Sequence, residues 1–532
     1  MLLDFKTEDV GKSLQADVCI IGGGMAGIAL AKEFANTGHS VVLLESGGLQ
    51  FDRPTQDLYK GTNVRGDFSL TTSRFRMLGG TSYVWGGWCT PLDDSDFRKR
   101  DWVPYSGWPI TKADLVPHYR RAQSLCELGR YRYTVAEWPS LAGQALALDP
   151  NLLGHRLWQL SPQTNFGEKY VGDLRKAANI SLLLNATATE ILTGDNARSV
   201  IEVRVASLNG RRTRVRARAY VLACGGIEIP RLLLASNRVE PRGLANGNDL
   251  VGRFFMEHPH PDAGGVLLTG GLESFKPYFE NQVGKERVVL GFGPSETAQR
   301  RLGLLNSSIA VHGPLHFEPT DAWDSLMKLS RAFDERVWPP NAGSHVLNIL
   351  RDLDGVIREG YLRAKEGPIR GFSFTARTEA TPNPNNRVTL ADERDALGVN
   401  RIRLDWRPAE LDRVTVARTM ELLAREFGRL GVGRVRINEL LLQNDLRWSE
   451  NLSWFGHHMG TTRMSDDPKS GVVDANCRVH GVDNLFVASS SVFPTSGFAN
   501  PTLTILALAL RLADHLKGGW LRHLDSNQGP AD

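Results

Sequence analysis

The sequence lacks the features that mark a covalently stapled, metal-centred or membrane-spanning chain. Its five cysteines (Cys19, Cys89, Cys126, Cys224 and Cys477) are scattered over 532 residues without C-x-x-C spacing. Such an odd, unclustered set implies neither a disulfide framework nor a zinc site, and it suits a reducing compartment. The formal charge is only +4, too small for the clustered basic footprint of a nucleic-acid binder. Leu503 to Leu516 is the most apolar late stretch, and it contains Arg511, Asp514 and His515. It falls short of the roughly 20 apolar residues of a membrane span and reads as a buried closing helix. Met1 to Gln15 carries Asp4, Glu8 and Asp9 and no basic segment followed by an apolar run, so no secretory or twin-arginine leader is expected. A cytoplasmic location follows as the expectation. No internal repeat of fixed period is visible.

What remains is an ordinary soluble composition, 41% hydrophobic and 23% charged, in a chain long enough for more than one core. Ala16 to Ile21 reads as a buried strand, a glycine turn opens a helix to about Thr37, and Val41 to Glu45 reads as a second strand. Helical character covers Trp102 to Glu127. Ile180–Leu192, Ser199–Leu208 and Thr213–Ala223 read as consecutive strands, the last with Arg214, Arg216 and Arg218 on a wet face. A helix is expected from about Ile229. From Pro261 to about Leu440 the pattern changes to longer strands and loops with a turn at Thr381–Asn386. An amphipathic helix follows that turn, with Leu411, Val414, Met420, Leu423 and Phe427 toward a core. The polar end, Leu521 to Asp532, is expected to be a disordered tail.

The glycines of Ile20-Ile21-Gly22-Gly23-Gly24-Met25-Ala26-Gly27 have separate tasks. Gly22 permits the tight turn, Gly24 lets backbone approach a pyrophosphate, and Gly27 lets helix pack on strand. The helix N-terminus, opening at Met25 and Ala26, offers free N–H groups to the phosphates. Glu45, followed by Ser46, stands where an acid can accept hydrogen bonds from ribose hydroxyls. The motif by itself does not separate FAD from NAD. A second glycine-rich segment follows, Arg76 to Gly87, whose small residues let backbone lie against a flat ring while Arg76 offsets phosphate charge.

Far downstream, His457-His458-Met459-Gly460-Thr461-Thr462 and Ser496-Gly497-Phe498-Ala499-Asn500-Pro501-Thr502 supply an imidazole and an amide. Alcohol oxidation needs such a pair. A base with pKa near working pH takes the hydroxyl proton, and an amide donor holds the oxygen as charge develops. A helix beginning at Pro501 and Thr502 would add the positive end of its dipole. Asn before Pro is also a common turn former.

These segments together resemble the glucose–methanol–choline (GMC) oxidoreductases. The resemblance includes Val221–Leu234 (VLACGGIEIPRLLL), Val251-Gly252-Arg253, His258-Pro259 and Val472-Val473-Asp474, and continues to Ala509. It spans nearly the whole chain and is weakest between about 262 and 370. It implies an α/β fold with a discontinuous Rossmann-like FAD-binding domain (13–90, 180–260 and 450–520). A substrate or cap domain on a mixed β-sheet backed by helices (91–179 and 261–449) would complete the chain before the tail at 521–532. It implies FAD held by Gly22, Gly24, Met25, Ala26, Gly27, Glu45, Ser46, Arg76, Gly79, Gly80, Thr81, Ser82, Trp85, Gly86, Ala188, Gly225, Ser489, Pro501 and Thr502.

The family's catalytic histidine lies three residues before the glycine of the G-T pair, which selects His457 over His458, and Asn500 matches the position opposite the flavin. Val84 stands where some relatives link FAD covalently through histidine, so the resemblance implies noncovalent FAD. Ser489 replaces the Asp that many members carry. His258 and His260 are expected to be structural or lid residues, and no metal is expected. Trp85, Trp88 and Trp338 read more readily as core than as substrate contacts. The C-terminal run looks most like relatives acting on sugars, so a secondary hydroxyl of a pyranose or glycoside is the expected substrate group. A non-sugar alcohol, an NAD-dependent dehydrogenase and a non-redox lyase on the same fold are the rivals. The electron acceptor, oxygen or a redox carrier, is left open.

Overall fold

The computed structural model describes residues 1–65, 69–269, 272–314, 321–334, 339, 341–364, 371–443, 446–450, 452–453 and 455–521. Its first sheet grows from the apolar strand Leu14–Ile21, whose last four residues are buried. That strand pairs in parallel with Val41–Leu44 on one side and Arg212–Leu222 on the other. Ile180–Leu184 and then Leu2–Asp4 extend the parallel part, and Leu485–Val487 adds in parallel to Arg212–Leu222. Val200–Ala206 and Thr187–Thr193 continue the other edge antiparallel. The segments that build this sheet are dispersed along the chain, as the discontinuous Rossmann-like reading expects. Helices Met25–Phe34 and Thr502–His515 pack on it, and Leu503, Leu506, Leu510 and Leu512 enter one large core with Ile20 and Val221.

The second sheet runs Gly433–Ile437, Asp262–Leu268, Gly371–Thr378, Ser307–Pro314, Glu286–Pro294, Leu153–Leu160 and Trp88–Cys89. Each of these neighbours is antiparallel. The mixed pairing expected for this domain falls instead in the first sheet, where two antiparallel strands continue the parallel ones. Helix Glu410–Leu430 backs the second sheet, burying Met420, Leu423 and Phe427 in a second core with Phe292 and Phe374. Leu411 and Val414 are only half-buried. The first turns instead bury Asp412, which accepts from Thr381 N–H at 2.9 Å, and Thr415, whose hydroxyl accepts from Leu305 N–H at 3.1 Å.

Several boundaries differ from the sequence reading for local reasons. The helix expected from Trp102 starts at Lys112, where Thr111 and Asp114 form a capping box. The strand expected over 180–192 is broken at Asn185, whose φ of +55° reverses the chain. The helix expected from Ile229 starts at Gly225. Between Ser307–Pro314 and Gly371–Thr378 lie three helices, Asp321–Asp334, Ala342–Arg351 and Leu353–Ala364, where strands and loops were expected. Arg214 and Arg216 face outward and reach Glu202, and Arg218 reaches Asp17. Leu521 is fully buried and its carbonyl accepts from Arg218 at 3.1 Å, so the expected tail does not begin there. The remaining tail, 522–532, and Trp338 lie outside the described residues.

Candidate active site

Three adjacent parallel strands end together at Ile21, Leu44 and Leu222, and ligands in α/β sheets gather beyond such carboxyl ends. A cavity of about 810 Å³ opens there. Helices Met25–Phe34, Gly225–Ala235 and Thr502–His515 all begin on its wall, and among the described residues no side chain caps any of them. Three sets of uncapped helical N–H groups therefore face one space, which suits an anionic, hydrogen-bond-accepting ligand.

The glycine turn fits a dinucleotide closely. A Cβ on Gly22 (φ +112°) would come within 2.7 Å of Ala223 O, and one on Gly27 within 1.9 Å of Gly22 O. At Gly24 a Cβ would meet nothing within 4 Å, so this glycine leaves backbone open to the cavity. Gly79 N–H donates to Gly23 O at 2.7 Å and locks the second glycine segment onto the first. Glu45 is buried, and burial pushes its carboxyl up while the N–H groups of Gly47 (2.7 Å) and Gly23 (2.8 Å) oppose that rise. The acid expected to read a ribose also pins the phosphate turn.

Arg76 donates to Ser46 Oγ at 2.7 Å and to Glu228 Oε2 at 2.6 Å. Burial would raise the Glu228 carboxyl, but Arg76, Arg231 and Arg74 together hold it down to about 2. Arg76 thus shares one carboxylate with Arg74 and Arg231.

Of the residues expected at the cofactor, Gly22, Gly24, Met25, Ala26, Glu45, Ser46, Arg76, Gly80, Thr81, Trp85, Gly86, Ala188, Gly225, Ser489, Pro501 and Thr502 border this cavity. Gly27, Gly79 and Ser82 do not. Gly27 packs under the turn. Gly79 would clash with Gly167 N at 2.5 Å if it had a Cβ, and the Ser82 hydroxyl donates to Gly79 O at 2.8 Å and accepts from Phe166 N–H at 3.0 Å. They shape the wall from behind. The Ser489 hydroxyl accepts from Ser491 N–H at 3.1 Å. Val84 faces the cavity and offers no nucleophile. Trp88, read as core, also borders the cavity and meets Trp158 edge-on with 5.3 Å between ring centroids.

His457 and Asn500 border the same cavity, and two residues fix their polarity. His258 is fully buried, and its Nε2 lies 2.9 Å from Gly497 O. A carbonyl only accepts, so that nitrogen carries the proton. Burial, reinforced by Arg377, holds His258 down to about 3 and therefore neutral, so its Nδ1 has only a lone pair. His457 Nδ1, 2.9 Å away, must then donate to it. This leaves the lone pair of His457 on Nε2. Burial first, then His258, Arg377 and His458, push His457 well below the usual histidine range, which keeps it unprotonated. Its backbone N–H donates to Glu257 Oε1 at 2.9 Å.

Asn500 is oriented with the same economy. Arg377 Nη1 bonds Asn500 Oδ1, and a guanidinium only donates, so the Asn500 amide nitrogen is turned away from it with its donors free for a ligand. His458 is turned from His457, with its ring 5.8 Å from Phe255 and Ser490 Oγ donating to its carbonyl at 2.7 Å.

His258, His260 and His457 bring ring nitrogens within 4.8 Å of one another. His258 and His457 spend theirs on each other, and Arg377 Nε lies 3.4 Å from His260 Nε2, where its charge opposes a metal cation. Arg377 and Glu257 were absent from the sequence reading, and His258 was placed there as structural. The alternation Ser373, Thr375, Arg377 marked one strand face; only the folded structure shows that Thr375 and Arg377 border the cavity.

Comparison with known proteins gives the site its family. Residues 17–244 match the model described as FAD dependent oxidoreductase, and residues 382–509 match that described as GMC oxidoreductase. The large subunit of fructose dehydrogenase from Gluconobacter japonicus is 23% identical, over 94% of this chain and 98% of that protein. The 6'''-hydroxyparomomycin C oxidase of Streptomyces lividus is 26% identical, over 96% and 93%. The fold is shared with pyridoxine 4-oxidase from Mesorbium loti, with a TM-score of 0.56 and 18% identity over 94% of this chain and 99% of that one. Among the described residues no helix is long and apolar enough to cross a membrane. The chain belongs to the glucose–methanol–choline oxidoreductases, FAD-dependent enzymes that act on alcohols.

Proposed function

We propose that the protein oxidises a secondary hydroxyl of a pyranose sugar or glycoside to the carbonyl, with His457 as base and Asn500 as the oxygen-holding donor. The observation that carries this reading is the proton order His457 Nδ1–H to His258 Nδ1 and His258 Nε2–H to Gly497 O. Within this pair it leaves the unprotonated nitrogen on His457 Nε2, and His457 borders the cavity, as do His260 and His458, which burial also keeps neutral. FAD, when bound in this cavity, would supply the two-electron acceptor for the hydride of the carbinol carbon.

The chain's own groups do the rest. His457 Nε2 takes the hydroxyl proton, and the resulting imidazolium keeps its Nδ1–H bond to His258. The Asn500 amide donates to the oxygen as charge builds on it, and Arg377 keeps that amide from turning. The backbone of Gly24 and the uncapped helix starts at Met25, Gly225 and Thr502 provide donors for the cofactor's phosphates and pyrimidine. FAD is held noncovalently in this reading, since Val84 has no atom that can form a link. Trp88 and Trp158, which border the cavity and meet edge-on, support a pyranose, whose C–H face packs on rings. Fructose dehydrogenase and hydroxyparomomycin C oxidase, both named for sugars, support the same substrate class. The five cysteines, all free, support a cytoplasmic enzyme.

The test is a panel of pyranoses, glycosides and simple alcohols mixed anaerobically with FAD-loaded enzyme. Flavin bleaching by a pyranose or glycoside is expected. Bleaching by simple alcohols alone would replace the sugar reading, and cleavage of a substrate without bleaching would replace oxidation.

A further inference from the structure

One cation beside Asn500 orients that amide and biases the neighbouring histidines, yet among the described residues it meets no carboxylate. Arg377 lies on strand Gly371–Thr378 and borders the cavity. Other buried arginines near the site reach carboxylates: Arg74 and Arg76 meet Glu228, Arg231 meets Glu228 and Asp395, and Arg100 meets Glu379. Among the described residues Arg377 has no carboxylate within 4.0 Å; its side-chain partners are Asn500 and, at 3.4 Å, His260. The neighbouring acid that acts on it electrostatically is Glu257, which burial pushes up to about 8. Burial also pulls Arg377 down to about 10, so it stays charged at neutral pH without a firm counter-charge.

The strand register builds a polar face around it. Ser308 lies directly across from Arg377, and Ala310 across from Thr375. Ser308, Ala310, Thr375 and Arg377 all border the cavity, as the two-residue period of a strand requires. The carboxylates that do border the cavity, Glu45, Glu228 and Asp395, are already held by backbone N–H groups or arginines. Two small hydroxyls and a guanidinium with an unused edge therefore face the space next to the reacting pair. A cationic alcohol is disfavoured there by like charge. An acid group is favoured, because a carboxylate accepts from a guanidinium and from hydroxyls together.

We propose that Arg377, Ser308 and Thr375 form a carboxylate subsite, so that the alcohol oxidised here belongs to a sugar acid of the uronate or aldonate type. This rests on the reading of His457 and Asn500 as the pair that holds the reacting hydroxyl.

The experiment titrates FAD-loaded, anaerobic enzyme with D-glucuronate and with D-glucose, following flavin absorbance and the emission of the cavity residues Trp85, Trp88 and Trp158. Affinity is read in preference to turnover, because Arg377 also holds Asn500. The wild-type protein is expected to half-saturate with glucuronate at a concentration at least about 30-fold lower than with glucose, the scale of a buried charge partner. Arg377→Gln should erase that gap and Arg377→Lys should keep part of it, with FAD content and unfolding temperature confirming that both variants fold. Equal half-saturation in the wild type, or a gap that survives in Arg377→Gln, overturns the proposal. Acetate and propionate form the separate arm. If they perturb the wild-type spectra and not those of Arg377→Gln while neither sugar binds, the carboxylate subsite stands and the sugar reading fails. Absence of any response to all the acids overturns the subsite.

Discussion

His258 Nδ1 lies 2.9 Å from His457 Nδ1, with the far nitrogen of His258 fixed on Gly497 O at 2.9 Å. A neutral histidine thus serves as the orienting acceptor for the proposed base, His457. His258→Ala removes the acceptor and lets His457 adopt the tautomer whose lone pair faces away from substrate. Flavin reduction is expected to slow by about tenfold or more, bounded by the roughly 10⁴ lost when a catalytic histidine is held in the wrong tautomer. His258→Gln keeps an acceptor oxygen and should recover part of the rate. Rapid-reaction traces with FAD retained make the measurement, and a wild-type rate in His258→Ala would remove the orienting role.

The pH profile carries a sign. His457 sits well below the usual 6.5 because the buried, cation-bordered site disfavours imidazolium. Only the neutral form accepts a proton, so activity falls as pH drops through that lowered value. The acid limb of kcat/KM is expected below pH 6.5, and Arg377→Gln, by removing a positive neighbour, should move it upward. A limb above 6.5 in the wild type, or a downward shift in the variant, would contradict this electrostatic account.

Asn500 and Arg377 yield a sharper test than truncation alone. Asn500→Ala deletes a donor aimed at developing charge, a loss of up to about 3–4 kcal/mol for a full oxyanion donor and expected to be smaller here. Asn500→Asp preserves shape and its contact with Arg377 but replaces the donor by a second acceptor. It should be at least as slow as Asn500→Ala. An active Asn500→Asp would reduce the residue to a turn former before Pro501.

A buried ion pair ties Arg100 to Glu379, just beyond strand Gly371–Thr378. Arg100 donates through Nη1 to Glu379 Oε2 at 2.8 Å and through Nη2 to Oε1 at 2.6 Å, with Glu379 fully buried. Glu379→Ala leaves that guanidinium unpaired and is expected to cost about 3–5 kcal/mol, read by denaturant unfolding. A change within experimental scatter would show that water replaces the acid.

Local signals were legible in the sequence and non-local ones were not. The strand–glycine–helix unit at 14–34 has its logic within a few residues, and Gly22 and Gly27 carry it in backbone geometry that any folded version must repeat. The pairings that orient the proposed catalytic groups have no local trace: His258 is 199 residues from His457, and Arg377 is 123 from Asn500. Arg377 sits on a strand of the second sheet and Asn500 just before the helix Thr502–His515 of the first core, so only the fold brings them together. The helices Asp321–Asp334 and Ala342–Arg351 were missed although each carries its apolar residues on one helical face, a local signal that a helical reading of this stretch could have used.

The central claim is that His457 is the base and His458 is not. Anaerobic flavin reduction by a reactive sugar, followed in wild type, His457→Ala and His458→Ala of equal FAD content, tests it most directly. The account predicts a loss of about 10²–10⁴-fold in His457→Ala, the usual worth of general-base assistance, and a rate near wild type in His458→Ala. Equal slowing in both variants, or a wild-type rate in His457→Ala, would contradict it.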